Sequence, residues 1–242
     1  MLLAIDTSTA QGSVALAEKN GTAVTVRETL LDDGWQHGRL LISAVDALLR
    51  EAGRRLDDVD AFACGIGPGS YTGTRIGVIA AKTLAWSRGK PLYGVSSLAA
   101  LALSFAETQP QTPARVVVMQ DARRDEIYTG VYTFGADGLP QAAAADTALN
   151  PAAAAALVTP EAQVAGGGAW RKYPEVFPAP EVTGRFTEFA GRPTLAASLA
   201  KIALAGRVAA TDPKILEPVY LRREEAPCSF EKYAAEHAGD GK

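Results

Sequence analysis

Three stretches of this 242-residue chain set residue types in patterns that could do chemistry. The first is A-I-D-T-S-T, residues 4–9, where the carboxylate of Asp6 is followed by the hydroxyls of Thr7 and Ser8. A carboxylate closing a strand can hold a metal ion or a phosphate, and it can equally brace its own turn by accepting backbone N–H bonds. Thr7 and Ser8 stand where a phosphate-cradling turn uses glycine to bring backbone N–H groups close, so phosphate affinity is expected to be weak. The second stretch is G-I-G-P-G-S-Y-T-G-T-R-I-G, residues 65–77. It fits neither G-x-G-x-x-G, because Thr72 occupies the third glycine's place, nor a P-loop, which ends in Gly-Lys-Ser/Thr. The third, V-A-G-G-G-A-W at residues 164–170, puts Gly166 and Gly167 at a strand-to-helix turn.

Metal and thiol chemistry have little to work with. His37 and His237 are the two histidines and lie too far apart for a helical pair, and Cys64 and Cys228 form no C-x-x-C spacing. Neither a zinc site nor a disulfide framework is indicated, and a reducing cytosol fits the cysteine usage.

The elements that must carry these residues follow from periodicity. Residues 2–5, 13–17 and 22–29 read as strands, with Asn20-Gly21 as a hairpin turn between the last two. Over residues 36–52 the apolar positions Leu40, Leu41, Ala44, Val45, Leu48, Leu49 and Ala52 recur at helical spacing, and Gly53 supplies a stop. A strand at 60–65, a helix at 72–86 and a strand at 92–95 complete a β-β-β-α-β-α-β order. That hairpin-first start differs from the strict βα alternation of a dinucleotide-binding sheet and matches a ribonuclease H-like unit. A second copy is signalled by the β-rich runs at 115–121 and 126–134 and the Asp137-Gly138 turn. It continues more weakly, with a short Ala-rich helix at 151–157, a strand at 163–165 and a helix at 193–206. The expected architecture is an α/β, two-lobe actin-like fold with a reduced second lobe: residues 1–106, residues 107–222, and a mobile tail at 223–242.

Inside the helix at 72–86, Gly73, Gly77 and Ala81 fall four apart and line one face without bulk. Each helical glycine costs about 1 kcal/mol against alanine, so two of them suggest that another backbone approaches closely. With Leu41, Val45 and Leu48 of the preceding helix, they form the expected partner-binding surface.

Composition bounds the rest. Apolar residues make up 48% and charged residues 21%, the balance of an ordinary globular protein. A formal net charge of -3 argues against gripping nucleic acid alone, and the pairs Arg54-Arg55, Arg123-Arg124 and Arg222-Arg223 read mostly as solvated faces. The N-terminus has no basic leader, and no apolar run reaches the roughly 18 residues of a spanning helix, so a cytoplasmic location is expected.

The segments M-L-L-A-I-D-T-S-T (1–9), residues 65–77, D-A-R-R-D-E-I-Y (121–128) and P-V-Y-L-R (218–222) together resemble the TsaB family, also labelled YeaZ or peptidase M22-like. The resemblance implies a scaffold or activator subunit in the synthesis of threonylcarbamoyladenosine on tRNA. Its implied partners are the catalytic paralogue TsaD and the ATPase TsaE, with tRNA contacted mainly through the complex and a homodimer when the chain is alone. The catalytic relative holds a metal through H-x-x-x-H after its fifth strand, where this chain has Ser97 and Leu101. No metal and no catalytic residue are therefore expected, and no tightly bound cofactor. ATP or ADP would enter only with the complex, at a weak site made of Asp6, Thr7, Ser8 and the glycine pair Gly166 and Gly167. The alternative is a small kinase or ATPase of the actin-like class, which would need glycines where Asp121-Ala122-Arg123 stands.

Overall fold

The computed structural model describes residues 1–21, 23–31, 37–177, 186–188 and 194–222, with only the backbone of His37; the expected tail at 223–242 lies outside them. Five strands build the first sheet: β1 (Leu2–Asp6), β2 (Gly12–Asn20), β3 (Ala23–Leu31), β4 (Ala61–Gly65) and β5 (Leu92–Val95). Their order is β3-β2-β1-β4-β5. The first three form an antiparallel meander, while β4 runs parallel to β1 and β5 parallel to β4. Every residue of β1 is buried, as expected of a central strand covered on both faces.

Three helices serve this sheet: α1 (His37–Glu51), α2 (Tyr71–Arg88) and α3 (Ser97–Thr108). The bounds of α2 have local causes. Ser70 caps it by accepting the Gly73 N–H, and Gly89, at φ 62°, takes the left-handed turn that ends it.

The second sheet consists of β6 (Arg115–Arg123), β7 (Glu126–Phe134), β8 (Pro140–Ala142), β9 (Thr147–Leu149), β10 (Gln163–Gly166) and β11 (Phe186–Glu188). Its order is β11-β10-β6-β7-β8, with β9 also on β7. The chain-order pattern of the first sheet is thus repeated: β6, β7 and β8 are antiparallel neighbours, and β10 and β11 follow in parallel. Where the first sheet has α1, the second has only α4 (Pro151–Ala155), and between β10 and β11 the described residues form one 3-10 turn, Ala169–Lys172. This is the reduced second lobe of a two-lobe actin-like fold.

The layers follow from what each face must bury. On the outer side of the first sheet, Leu3, Ile5, Val14 and Leu16 pack with Leu41, Val45 and Leu48 of α1 and Val78 and Ala81 of α2. Between the sheets lie α3 and α5 (Ala196–Leu204), whose Leu98, Leu101, Phe105, Leu199 and Ile202 meet Ala4 and Ala15 on one side and Val116, Val118 and Tyr132 on the other. The outer face of the second sheet buries Val117, Met119, Trp170 and Phe177.

Helix α5 belongs to the second half of the chain yet rests on β1 and β2. Leu195 offers no side-chain cap there. Instead the Ala196 N–H donates to Ser13 Oγ at 3.1 Å and the Ala197 N–H to Glu28 Oε1 at 3.2 Å. Beyond α5 the chain returns along the first sheet. The Thr211 N–H bonds the Leu92 carbonyl at 2.8 Å, Lys82 Nζ the Leu216 carbonyl at 2.6 Å, and the Val219 N–H the Ile66 carbonyl at 2.7 Å. Among the described residues, no helix is long and apolar enough to cross a membrane.

Candidate functional site

Asp6 ends β1 fully buried. Its Oδ1 accepts the Ser8 N–H and the Ser8 hydroxyl, each at 3.0 Å, which is an Asx turn closed by its own neighbour. Burial outweighs these bonds and pushes its carboxyl up to about 7, with Glu28 adding a smaller push in the same direction. A Cβ on Gly65 would sit 2.0 Å from Asp6 Oδ2, so the next strand closes over the carboxylate. Asp6 braces the turn and is not among the residues that line the inter-lobe cleft.

The small-residue stripe of α2 is explained by the same turn. A Cβ on Gly73 would fall 2.0 Å from the Thr7 carbonyl oxygen, and one on Gly77 would fall 2.5 Å from Thr7 Oγ1. That hydroxyl in turn donates to the Gly73 carbonyl at 2.6 Å. The backbone that approaches α2 is therefore the chain's own, and Gly73, Gly77 and Ala81 are interior. Leu41, Val45 and Leu48 are likewise buried against the first sheet. The expected partner-binding residues are corrected on this ground: they form the floor under the helices, not their outer surface.

What α1 and α2 present outward is a different set. Ile42, Ile79 and Trp86 are 56%, 61% and 64% exposed. Ile79 and Trp86 are seven apart, two turns along one face of α2. Ile42 and Ile79 flank a groove of about 530 Å³, floored by Leu41, Ile76 and Leu84.

Between the lobes lies a cleft of about 770 Å³, lined by the Ser8–Ala10 turn, the start of α2, the end of β6 and Gly167. Of the expected nucleotide residues, Ser8 and Gly167 reach it. Asp6, Thr7 and Gly166 do not: the first two point into the first lobe, and Gly166 is pressed on β6, where a Cβ would meet the Met119 carbonyl oxygen at 1.9 Å. Of the two glycines that sequence assigned to a ligand, Gly166 is thus needed for strand packing.

Ser97 and Leu101 open and line α3 after β5. Ser97 Oγ accepts the Gly67 N–H at 3.2 Å, and Leu101 is buried between the sheets. Among the described residues, no three His, Cys, Asp or Glu side chains come together as metal donors. The Cys64 thiol, pushed up to about 12 chiefly by burial, is a core group.

Sequence reasoning missed one polar network. Ser96 caps α3 by accepting the N–H groups of Leu98 and Ala99 at 3.1 and 3.2 Å, and it donates to the Asp146 carboxylate. Tyr132 of β7 donates to the same carboxylate at 2.5 Å. The lobes are tied through one half-buried aspartate whose pKa is raised, chiefly by desolvation. A Ser one residue before a helical run was its one visible signal.

The matching family model is described as TsaD, tRNA N6-adenosine threonylcarbamoyltransferase, and it spans residues 34–238. The chain is 38% identical over 133 residues to the tRNA threonylcarbamoyladenosine biosynthesis protein TsaB of Bacillus subtilis, and it spans 55% of that relative's length. An uncharacterized protein of Mycobacterium tuberculosis is 32% identical over 226 residues, 93% of each chain. The solved structure of YeaZ from Pseudomonas aeruginosa superposes with a TM-score of 0.73 at 32% identity, covering 90% of this chain and 99% of that one.

Proposed function

Since the chain belongs to the TsaB (YeaZ) family, we propose that it is the non-catalytic subunit of the complex that forms threonylcarbamoyladenosine on tRNA. Its work is to bind the catalytic paralogue TsaD, and with it the ATPase TsaE, in the cytoplasm. The observation that carries this reading is the apolar outer face of α1 and α2, where Ile42 and Ile79 flank a groove that the described residues leave uncovered.

Two further features favour a helper over an enzyme. Ser97 and Leu101 carry no metal donor suited to the positions of the catalytic relative's histidines, and both are committed to the chain's own packing. Asp6, the carboxylate a kinase of this fold would turn toward phosphate, is sealed beneath Gly65 and Ser8. Any nucleotide bound at the inter-lobe cleft would contact Ser8 and Gly167, without Asp6. Free of its paralogue, the chain would pair with a second copy through the same helical face, since an apolar surface that fits one relative serves for self-association.

The test is association. Ile79→Arg and Ile42→Arg place a charge on an exposed apolar face, so the monomer is expected to keep its fold. Binding to the purified TsaD paralogue is expected to weaken by about tenfold or more, because a buried unpaired charge costs several times the ~1.4 kcal/mol of one decade. Sedimentation with and without the paralogue reads this, and the threonylcarbamoyladenosine content of tRNA in complemented cells reads its consequence. Variants that assemble and complement like the parent would remove α1 and α2 as the interface.

A further inference from the structure

We propose that a second cleft, which adjoins the inter-lobe one and shares Tyr71, Arg123, Tyr128 and Arg222 with it, binds a phosphate-bearing nucleotide through a cluster of arginines. This cleft, about 570 Å³, is lined by Arg75, Arg123, Arg124 and Arg222 and by no Asp or Glu among the described residues. Four guanidinium groups meeting in one hollow are unexpected on a chain of net charge -3.

Two of the arginines are held in place before any ligand arrives. Arg75 donates from Nε to the Tyr220 hydroxyl at 2.8 Å, with its guanidinium 4.3 Å from the centre of the Tyr71 ring. Arg222 donates to the Ala122 carbonyl at 2.8 Å and pairs with Glu126 at 2.9 Å, which offsets part of its charge. The other two stand on the turn between β6 and β7, where Arg123, Arg124 and Asp125 all take left-handed backbone with φ of 61°, 49° and 58°. Three consecutive non-glycine residues in that region carry strain, and here it turns two arginines toward a pair already fixed. Pre-set donors of this kind bind oxyanions well because little ordering remains to be done.

An independent observation is the Thr74 side chain. It is 2% exposed, lines this cleft, and its Oγ1 has no hydrogen-bond partner among the described residues. Buried hydroxyls are almost always bonded, and an orphan donor beside four cations is suited to an anionic acceptor. The aromatic rings decide between a bare anion and a nucleotide. Tyr71 and Tyr220, 4.9 Å apart with Arg75 over the Tyr71 ring, are each about two-fifths exposed at 41% and 42%, and a base stacked on the exposed part of this pair would lie next to the phosphate. Free nucleotides and nucleotides within an RNA strand share this chemistry.

The full chain is titrated with AMP by calorimetry and with a fluorescein-labelled oligoadenylate RNA by anisotropy, without the paralogue, so the outcome does not depend on how α1 and α2 dock. Saturable binding of the RNA alone assigns the cleft to a strand, and comparable binding of AMP assigns it to a free nucleotide. Arg123→Gly with Arg124→Gly keeps the left-handed turn accessible and is expected to weaken the bound probe about tenfold or more, with a shallower dependence on salt. Thr74→Val is expected to weaken it several-fold while leaving the melting temperature equal or higher, whereas a hydroxyl serving only the fold would lower it. Arg54→Ala, on the first lobe's outer edge, is the control for general charge. Binding of neither probe, or binding by the double glycine variant equal to the parent's, overturns the proposal.

Discussion

Thr7 shows how much one residue can decide. Its carbonyl and hydroxyl oxygens occupy the space that side chains at positions 73 and 77 would take, and its hydroxyl is bonded to the Gly73 carbonyl. Gly77→Leu is therefore expected to destabilise the isolated chain by roughly 3 kcal/mol or more through overpacking, seen as a lower urea midpoint. An unchanged midpoint would mean that α2 can lift off β1 at no cost. Asp6 makes a second prediction through its protons. Its folded pKa, about 7, lies above the unfolded carboxylate value, so the native state keeps a proton that the unfolded chain releases. This group's contribution is full below about pH 4 and is lost as pH rises toward about 7, after which it is flat. Asp6→Asn mimics the protonated form. The melting temperature of the variant minus that of the parent is expected to grow across this window, reaching roughly 8–16 °C for about 4 kcal/mol in a chain this size. A difference that stays constant with pH would show that Asp6 is ionised throughout.

At the scale of elements, α5 is the clearest case of a helix finished by a distant part of the chain. Leu195 cannot cap it, and the first-turn N–H groups of Ala196 and Ala197 are met by Ser13 of β2 and Glu28 of β3. Glu28 also places a negative charge at the helix N-terminus, the favourable end for an anion. Ser13→Ala leaves the Ala196 N–H buried and unpaired at a cost of about 1–3 kcal/mol. Hydrogen exchange is expected to show the first turn of α5 opening faster in this variant, with the ends of α1 unaffected. Equal protection in parent and variant would mean that Glu28 alone suffices. The existence of α5 was legible from Leu195, Leu199, Ile202 and Ala203 at helical spacing, though the expected 193–206 shortens to Ala196–Leu204. Its caps were not legible, because they come from strands more than half the chain away.

Across the whole molecule, the two sheets enclose α3 and α5, and the Ser96–Asp146–Tyr132 network and the return of residues 211–222 tie the lobes at their edges. The inter-lobe cleft and the arginine cleft exist only because of this closure. Though it did not show α3, β8, β9 or β11, the sequence by itself determined the order β1 to β5 with α1 and α2, the hairpin turns at Asn20-Gly21 and Asp137-Gly138, and the repeat of one unit in a reduced second copy. These are written in local periodicity and turn chemistry, which act between near neighbours. It also showed that Gly73, Gly77 and Ala81 share a face, since spacing four is geometry internal to a helix. Only the tertiary structure decided what covers that face. The covering group is the turn after β1, which the β1-β4 pairing slides beneath α2, so a stripe suited to a partner is filled from within. The same holds for charge: Arg123, Arg124 and Arg222 read as solvated faces and Arg75 as part of the glycine-rich stretch at 65–77, and they become one cluster when α2, the β6–β7 turn and the C-terminal return converge. Helical phase and turn signals are properties of segments, whereas burial and convergence are properties of the surface that other segments bring, and no window of sequence contains both partners.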